Sequence, residues 1–393
     1  MNSIPFFLAA IAAVALAIAS WRLESASHAH AVLIGLAAGI VLYNASFGFT
    51  SGWRNMVLHR RGRGLRAQML LIGLVTVVAY PLIAAGGIFG QDVRGTVLPM
   101  GVASAFGALM FGIGMQLGSG CASGTLFTAG GGSSRMLLVL LCFVAGSVWA
   151  TAHWDFWLTL PRTARGTSII NELGWQGAVG VILVSTSLIW WLSCRLEVAR
   201  HGRLETGGGP AIWSIWAGAV GLAIVALACL LVLGRPWGIT YGFAVWGAQA
   251  VDVVGGNPTD WTYWSGWRRS HVEGGVLSST TNASNLGILL GAMMAAAWAG
   301  RWAPRFSLSR RDVATAVIGG LMMGYGARLA YGCNIGAYLG GLTSGSLHGV
   351  WWLIWGFAGS CIGVLTRVKL GMDPAAQPQG QVNNATGASS SRT

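Results

Sequence analysis

The chain has 393 residues, of which 9% are charged and 54% are apolar, and its mean hydropathy is +0.62. Twenty-four basic and 11 acidic side chains cannot clothe a 41.0 kDa globule in water, where roughly 25% of residues are normally charged. A cytosolic enzyme, a nucleic-acid-binding domain and a disordered chain are therefore excluded, and the formal charge of +13 reads as membrane topology because the arginines fall in short breaks between apolar runs.

Apolar runs near 20 residues are span candidates. Nine are read in chain order: 4–20, 67–86, 98–116, 136–152, 175–193, 212–233, 286–299, 313–330 and 348–365. The first is preceded by no positive charge, which favours a retained span over a signal peptide. The shortest, 286–299, must borrow flanking residues to cross. Four further stretches, 31–58, 117–132, 238–275 and 331–346, are apolar but broken by Gly, Thr, Ser or Asn. They are read as re-entrant hairpins, which must be buried in protein or line a wet cavity because lipid cannot satisfy freed backbone groups. The expected fold class is thus an all-α integral membrane protein, with about nine transmembrane helices plus four re-entrant loops or half-helices. The tail after Met372 has no apolar period and is expected to be disordered.

The arginines set an orientation. With the N-terminus outside, inside segments would hold Arg22, Arg60 to Arg66, Arg135, Arg195 to Arg203, Arg301 to Arg311, Arg367, Lys369 and Arg392. Outside segments would hold only Arg94, Arg162, Arg165 and Arg235. The C-terminus is then cytoplasmic.

The most informative feature is an internal duplication. At an offset of 212, residues 107–124 and 319–336 share the core GxGxxLxxGCxxG. Upstream, Ser51-Gly52-Trp53-Arg54 recurs as Ser265-Gly266-Trp267-Arg268. Downstream, Ala145-Gly146-Ser147 recurs as Ala358-Gly359-Ser360. In the span assignment the first copy begins inside and the second outside, so the repeats are inverted, a common transporter plan with the site at the repeat interface. The expected divisions are an N-terminal span (1–27), repeat 1 (28–197), a linking span (198–237), repeat 2 (238–370) and the tail (371–393).

The shared core is not a dinucleotide fingerprint, because it follows no strand and lacks the downstream acid. Small-xxx-small packing explains Gly112, Gly114, Gly324 and Gly326. It explains Gly120-Cys121 and Gly332-Cys333 less well. There Gly, Ser and Asn, including Asn334, cluster around the thiol, as where a helix breaks. A broken-helix N-terminus offers free N–H groups and a positive dipole end to an anion. A thiol beside it is a weak donor that suits a soft sulfur atom. The six cysteines form no CxxC pair, so disulfide staples and zinc sites are not expected. Cys142, Cys194, Cys229 and Cys361 read as packing residues.

At this point the sequence resembles the YeeE/YedE family of sulfur-compound transporters over about residues 28–370. The resemblance rests on Gly118 to Gly124, on Gly326 to Gly336 and on Phe357 to Ser360. It implies a bacterial inner-membrane protein with nine spans and four intruding loops, which imports thiosulfate along cysteines in those loops. Cys121 and Cys333 match two of the family's functional cysteines. The third aligns near Gly48-Phe49-Thr50, where this chain has Thr50, so the substrate is written as thiosulfate or a related anion. A small cytoplasmic sulfur-carrier protein is a partner that the resemblance implies.

The expected substrate path is therefore lined by Cys121, Cys333, Gly120, Gly332, Thr50 and Asn334. Arg54, Arg268 and Arg328 are the candidate anion attractors, since an intramembrane charge points to function. Arg328 stands where the other repeat has Gln116. Trp351, Trp352 and Trp355 read as a lipid-facing or packing stripe. No cofactor, metal or nucleic acid is expected. The competing functions are a membrane thiol-redox enzyme using Cys121 and Cys333, and a scaffold with no path of its own.

Overall fold

The computed structural model describes residues 1–88, 90–206, 211–304 and 307–373. Arg305 and the expected disordered tail from residue 374 onward lie outside them. The first half holds α1 (Ser3–Leu23), α2 (Ala26–Ala45), α3 (Phe49–His59), α4 (Arg63–Ala85), α5 (Val102–Gly118), α6 (Ala122–Gly130), α7 (Ser134–Ala152) and the short α8 (Trp154–Leu158). Then come α9 (Ile169–His201), α10 (Ile215–Leu233), α11 (Thr240–Val253), the short α12 (Arg269–Glu273), α13 (Thr280–Trp298) and α14 (Arg310–Leu329). A π-helical turn (Asn334–Leu339), α15 (Gly340–Leu342) and α16 (Leu347–Lys369) follow. Two-residue strands β1 (Gly87–Ile88) and β2 (Gln91–Asp92) pair in the α4–α5 connection. Serines 133, 214 and 309 accept from backbone N–H groups at helix starts, and Gly86, Gly202 and Gly234 end helices in left-handed conformation.

Nine stretches of the described residues are long and apolar enough to cross a membrane: Ser3–Leu23, Ala26–His59, Arg63–Ala85, Val102–Gly130, Ser134–Ala152, Ile169–His201, Ile215–Leu233, Arg310–Leu342 and Leu347–Lys369. Ile4, Ile11, Val14, Val184 and Leu188 face outward on α1 and α9, where a bilayer would cover them. The chain is an all-α, multi-pass membrane protein.

Glycines set the packing. A Cβ on Gly35 would meet the Ser284 carbonyl at 2.1 Å, and one on Gly39 would meet that of Ile288 at 2.2 Å, so α2 and α13 run parallel in close contact. Gly359 likewise abuts Leu109, and Gly363 abuts Ile113 one turn further along both helices, so α5 and α16 are parallel. Gly320 packs at Val139 and Cys142, and Gly324 at Phe143, so α7 and α14 are parallel. By contrast Gly107 meets Gly326 and Gly114 meets Gly319, so α5 and α14 are antiparallel. These last two helices carry the duplicated sequence. A two-fold that relates antiparallel neighbours lies perpendicular to them, hence in the plane of a membrane they cross, and the same operation exchanges the α5–α16 and α14–α7 pairs. This is an inverted repeat.

Two expectations are corrected. The segment 31–58 is not a re-entrant hairpin: α2 is a full 20-residue helix and only α3 is short. Its glycines pack against α13 rather than breaking the helix. At 286–299 the helix does borrow residues, starting at Thr280. The extra traversal by α2 changes the orientation. The Asn2 backbone N–H donates to the Ala297 carbonyl at 2.7 Å, and Asn2 Nδ2 to that of Trp302 at 2.8 Å. The N-terminus therefore shares one end of the bundle with Arg301, and with the α9 C-terminus, the α14 N-terminus and Arg367. It cannot lie opposite them, and Arg22 instead lies at the other end with Arg94, Arg162 and Arg235.

Candidate functional site

The two Gly-Cys segments are built alike. α5 ends at Ser119 (φ +66) and α14 ends just before Tyr331 (φ +58), equivalent positions in the repeat. Each left-handed residue turns the chain back, and Gly120-Cys121 or Gly332-Cys333 then starts a new short helix. Cys121 caps α6 and Cys333 caps the π-helical turn. The Cys121 carbonyl accepts from Thr125 N–H at 2.7 Å, and the Cys333 carbonyl from Ala337 N–H at 2.8 Å. A Cβ on Gly332 would sit 2.8 Å from the Ala337 nitrogen, so only glycine allows that turn to close; Gly120 is less tightly held.

Both thiols are enclosed, Cys121 at 1% and Cys333 at 0% exposure. α6 packs on the π-helical turn. Backbone N–H groups of Ile335 and Gly336 face the Cys333 sulfur, while Cys121 Sγ lies 3.4 Å from Ser123 Oγ. All six cysteines are free. π-helical turns recur at functional sites.

Around these breaks lie buried polar atoms with no hydrogen-bond partner: Thr50 Oγ1, Thr125 Oγ1, Tyr338 Oη and both amide atoms of Asn334. Buried polar groups are nearly always satisfied, so a cluster of orphans marks a place built for something else. Tyr338 stacks on Trp352 at 6.2 Å, and Trp53 packs edge-on against Tyr338. Trp352 is fully buried and donates to the Gly332 carbonyl at 3.3 Å. Of the two readings, lipid-facing or packing, Trp352 takes the packing one.

Thr50 has a repeat partner that the sequence reading missed. Gly48-Phe49-Thr50-Ser51-Gly52 matches Gly238-Ile239-Thr240-Tyr241-Gly242 at an offset of 190. α3 packs on α16 as α11 packs on α7. Gln116 Nε2 donates to the Thr50 carbonyl at 3.2 Å and to Ser360 Oγ at 2.8 Å. At the equivalent place Arg328 donates to Thr240 Oγ1 at 2.9 Å and Tyr263 Oη at 2.8 Å. The Ser265 to Arg268 match is not structural: Trp267 is 63% exposed on a 3-10 turn, whereas Trp53 is fully buried in α3.

The arginines occupy three levels. Arg328 is 5% exposed, makes no ion pair among the described residues, and keeps Nε without a partner. Arg268 is at the end away from the N-terminus, its guanidinium 4.8 Å from the Tyr263 ring centroid. Arg54 is at the N-terminal end, near Arg367 and Asp373, with Nη1 buried and unpartnered. The structure does not gather them at one point. Arg135 and Arg367 were missed. Arg135 donates to the Gly118 carbonyl at 2.8 Å, and Arg367 to that of Gln116 at 2.7 Å, neutralising the C-terminus of α5.

The profile of a family described as Sulphur transport matches residues 44–362, which include both breaks, Thr50 and all three candidate arginines. The probable transporter YedE of Escherichia coli (strain K12) is 32% identical over 151 residues, 38% of this chain, and the match spans only 37% of YedE. The thiosulfate transporter TsuA of Spirochaeta thermophila is 26% identical over 330 residues, covering 79% of this chain and 90% of that protein. TsuA of Escherichia coli (strain K12) is 26% identical over 324 residues, covering 78% and 84%. With the family profile spanning most of its length and both Gly-Cys breaks, the chain belongs to the Sulphur transport family.

Proposed function

We propose that this chain imports a small sulfur-containing anion, thiosulfate or a close relative, along a path through the two Gly-Cys breaks. The observation that carries this reading is the pair of buried thiols at the N-termini of two short segments packed on each other, ringed by unsatisfied polar atoms. Free N–H groups and the dipole end attract the negative charge, worth up to about 2 kcal/mol in partly buried geometry. The thiol S–H donates to a soft terminal sulfur without binding it tightly, which permits release. Gly120 and Gly332 let the chain approach the anion, and Thr50 and Asn334 supply hydroxyl and amide contacts. Arg268 draws the anion in and Arg328 holds it near Cys333; Arg54 attracts it at the far end. Because the thiols are enclosed, passage requires the breaks to open in turn.

The arginine-rich end faces the cytoplasm by the positive-inside rule. This places both Met1 and Arg367 on that side of a bacterial inner membrane, where a small sulfur-carrier protein would collect the product. The repeat boundaries at about 28–197 and 238–370 follow the same reading. Uptake of labelled thiosulfate, sulfite and sulfate into cells expressing the chain tests it. Thiosulfate accumulation above vector controls is expected. Equal accumulation of none of the three would sink the transport reading in favour of a scaffold.

A further inference from the structure

We propose that an arginine-lined chamber at the N-terminal end of the bundle is a second oxyanion site, the last on the path, and that the Asp373 carboxylate, held on the fork of Arg367 in its wall, is a built-in competitor. The inference rests on the import reading and adds where the anion is held before release.

The chamber has a volume of about 570 Å³, with Ser119, Arg135, Arg311, Asp312, Arg367 and Met372 in its walls. Arg367 is 5% exposed and grips both oxygens of the Asp373 carboxylate with one edge: Nε at 2.5 Å from Oδ2, Nη2 at 3.0 Å from Oδ1. Its third nitrogen, Nη1, donates to Ser119 Oγ at 2.7 Å. One guanidinium thus ties a carboxylate to the turn that precedes Cys121. An anion passing the Cys121 break meets Arg367 next.

A carboxylate and a sulfur oxyanion present the same chemistry to a guanidinium fork, two acceptor oxygens side by side. Neutralising Arg367 would be reason enough for Asp373 if the chamber were otherwise satisfied. It is not. Arg54 Nη1 and Arg135 Nε are buried without hydrogen-bond partners. Arg135 reaches Asp312 only at 3.6 Å, and Arg311 donates to the Gly371 carbonyl. The three guanidinium groups in its walls, Arg135, Arg311 and Arg367, with Arg54 near Arg367, outnumber the two carboxylates of Asp312 and Asp373. The surplus positive charge and the open volume suit a second anion. Asp373 lies beyond α16, and hydrogen bonds from Arg367 hold its carboxyl below the ordinary carboxylate range, with Arg54 and His59 adding to the effect. It is therefore charged, and a competitor, at neutral pH.

The test is calorimetric titration of the purified full-length chain with sodium thiosulfate, and separately with sodium sulfate, in chloride-free buffer. Asp373→Asn should bind both anions about fivefold more tightly than the parent, by removing the internal rival for a charge-assisted fork. Asp373→Glu should restore parent affinity. Arg367→Gln combined with Asp373→Asn should lose the gain. Parent affinity in Asp373→Asn, or no binding to either protein, overturns the proposal. Failure of the import reading looks different: no uptake into cells while the Asp373→Asn gain in binding persists.

Discussion

Ser119 and Tyr331 stand 212 residues apart, and both adopt the left-handed backbone conformation directly before a Gly-Cys pair. Non-glycine residues rarely do so, because Cβ crowds the carbonyl. The same strain at equivalent positions in antiparallel halves means that the turn itself was duplicated and kept.

This relationship predicts a stability difference. Ser119→Gly loses the bond from Arg367 but relaxes the backbone. Ser119→Val loses the same bond and adds a β-branched side chain at φ +66. The valine variant should be less stable than the glycine variant by about 1–2 kcal/mol, read from unfolding midpoints in detergent. Equal midpoints would show that the turn is not constrained.

The shared location of Met1 and Arg301 predicts labelling. A cysteine placed at Ser3 or at Lys369 should be protected from an impermeant thiol reagent in intact cells. A cysteine at Arg94 or Arg162 should react. Labelling of Ser3→Cys from outside while Lys369→Cys stays protected would contradict the shared location of the two ends.

Much of the architecture was legible. The Gly-Cys breaks showed themselves because nine identical positions fall at one offset. The α3–α11 correspondence was hidden by a change of offset from 190 to 212. Residues 254–279, with Tyr263 and Arg268, separate α11 from α13 without a counterpart in the first half. The matching Ser-Gly-Trp-Arg strings misled because identical letters sit in a buried helix at Trp53 and an exposed turn at Trp267. Gly35 and Gly39 looked like helix breakers, but only packing against Ser284 and Ile288 reveals them as contact glycines. Arg135 and Arg367 were absorbed into the topological count because sequence alone cannot tell a snorkelling arginine from one buried against a helix end.

Arg328 offers a test that separates binding from folding. Its guanidinium is buried against the Thr240 and Tyr263 hydroxyls and has no carboxylate partner among the described residues, so two hydrogen bonds but no counter-ion offset its desolvation. Gln116 fills the equivalent site as a neutral amide. Arg328→Gln should therefore unfold no earlier than the parent, yet lower kcat/KM for uptake about tenfold or more. Arg328→Lys should recover part of it as a point charge without the fork. A loss of stability with unchanged uptake would make Arg328 a structural residue.

The cysteines carry the sharpest prediction. Cys121 and Cys333 have equivalent positions, the same cap geometry and almost no exposure. If they were only packing residues, alanine would cost little at a site where a small side chain already sits against glycine. Serine would be near-isosteric, but its hydroxyl is a harder and more strongly hydrated donor, poorly matched to a soft sulfur atom. Cys121→Ala, Cys333→Ala and both serine variants should each abolish uptake with the protein still inserted and monodisperse. Cys142→Ala, Cys229→Ala and Cys361→Ala should transport normally, because these thiols lie inside long helices and none of them caps a short helix at a break. The same set decides against thiol-redox chemistry: a redox pair would accumulate a Cys121–Cys333 disulfide under mild oxidation, visible by mass spectrometry, whereas a relay keeps both thiols reduced through turnover. Normal uptake in the Cys121→Ala/Cys333→Ala double variant would leave a glycine-lined pore in which the backbone N–H groups alone carry the anion.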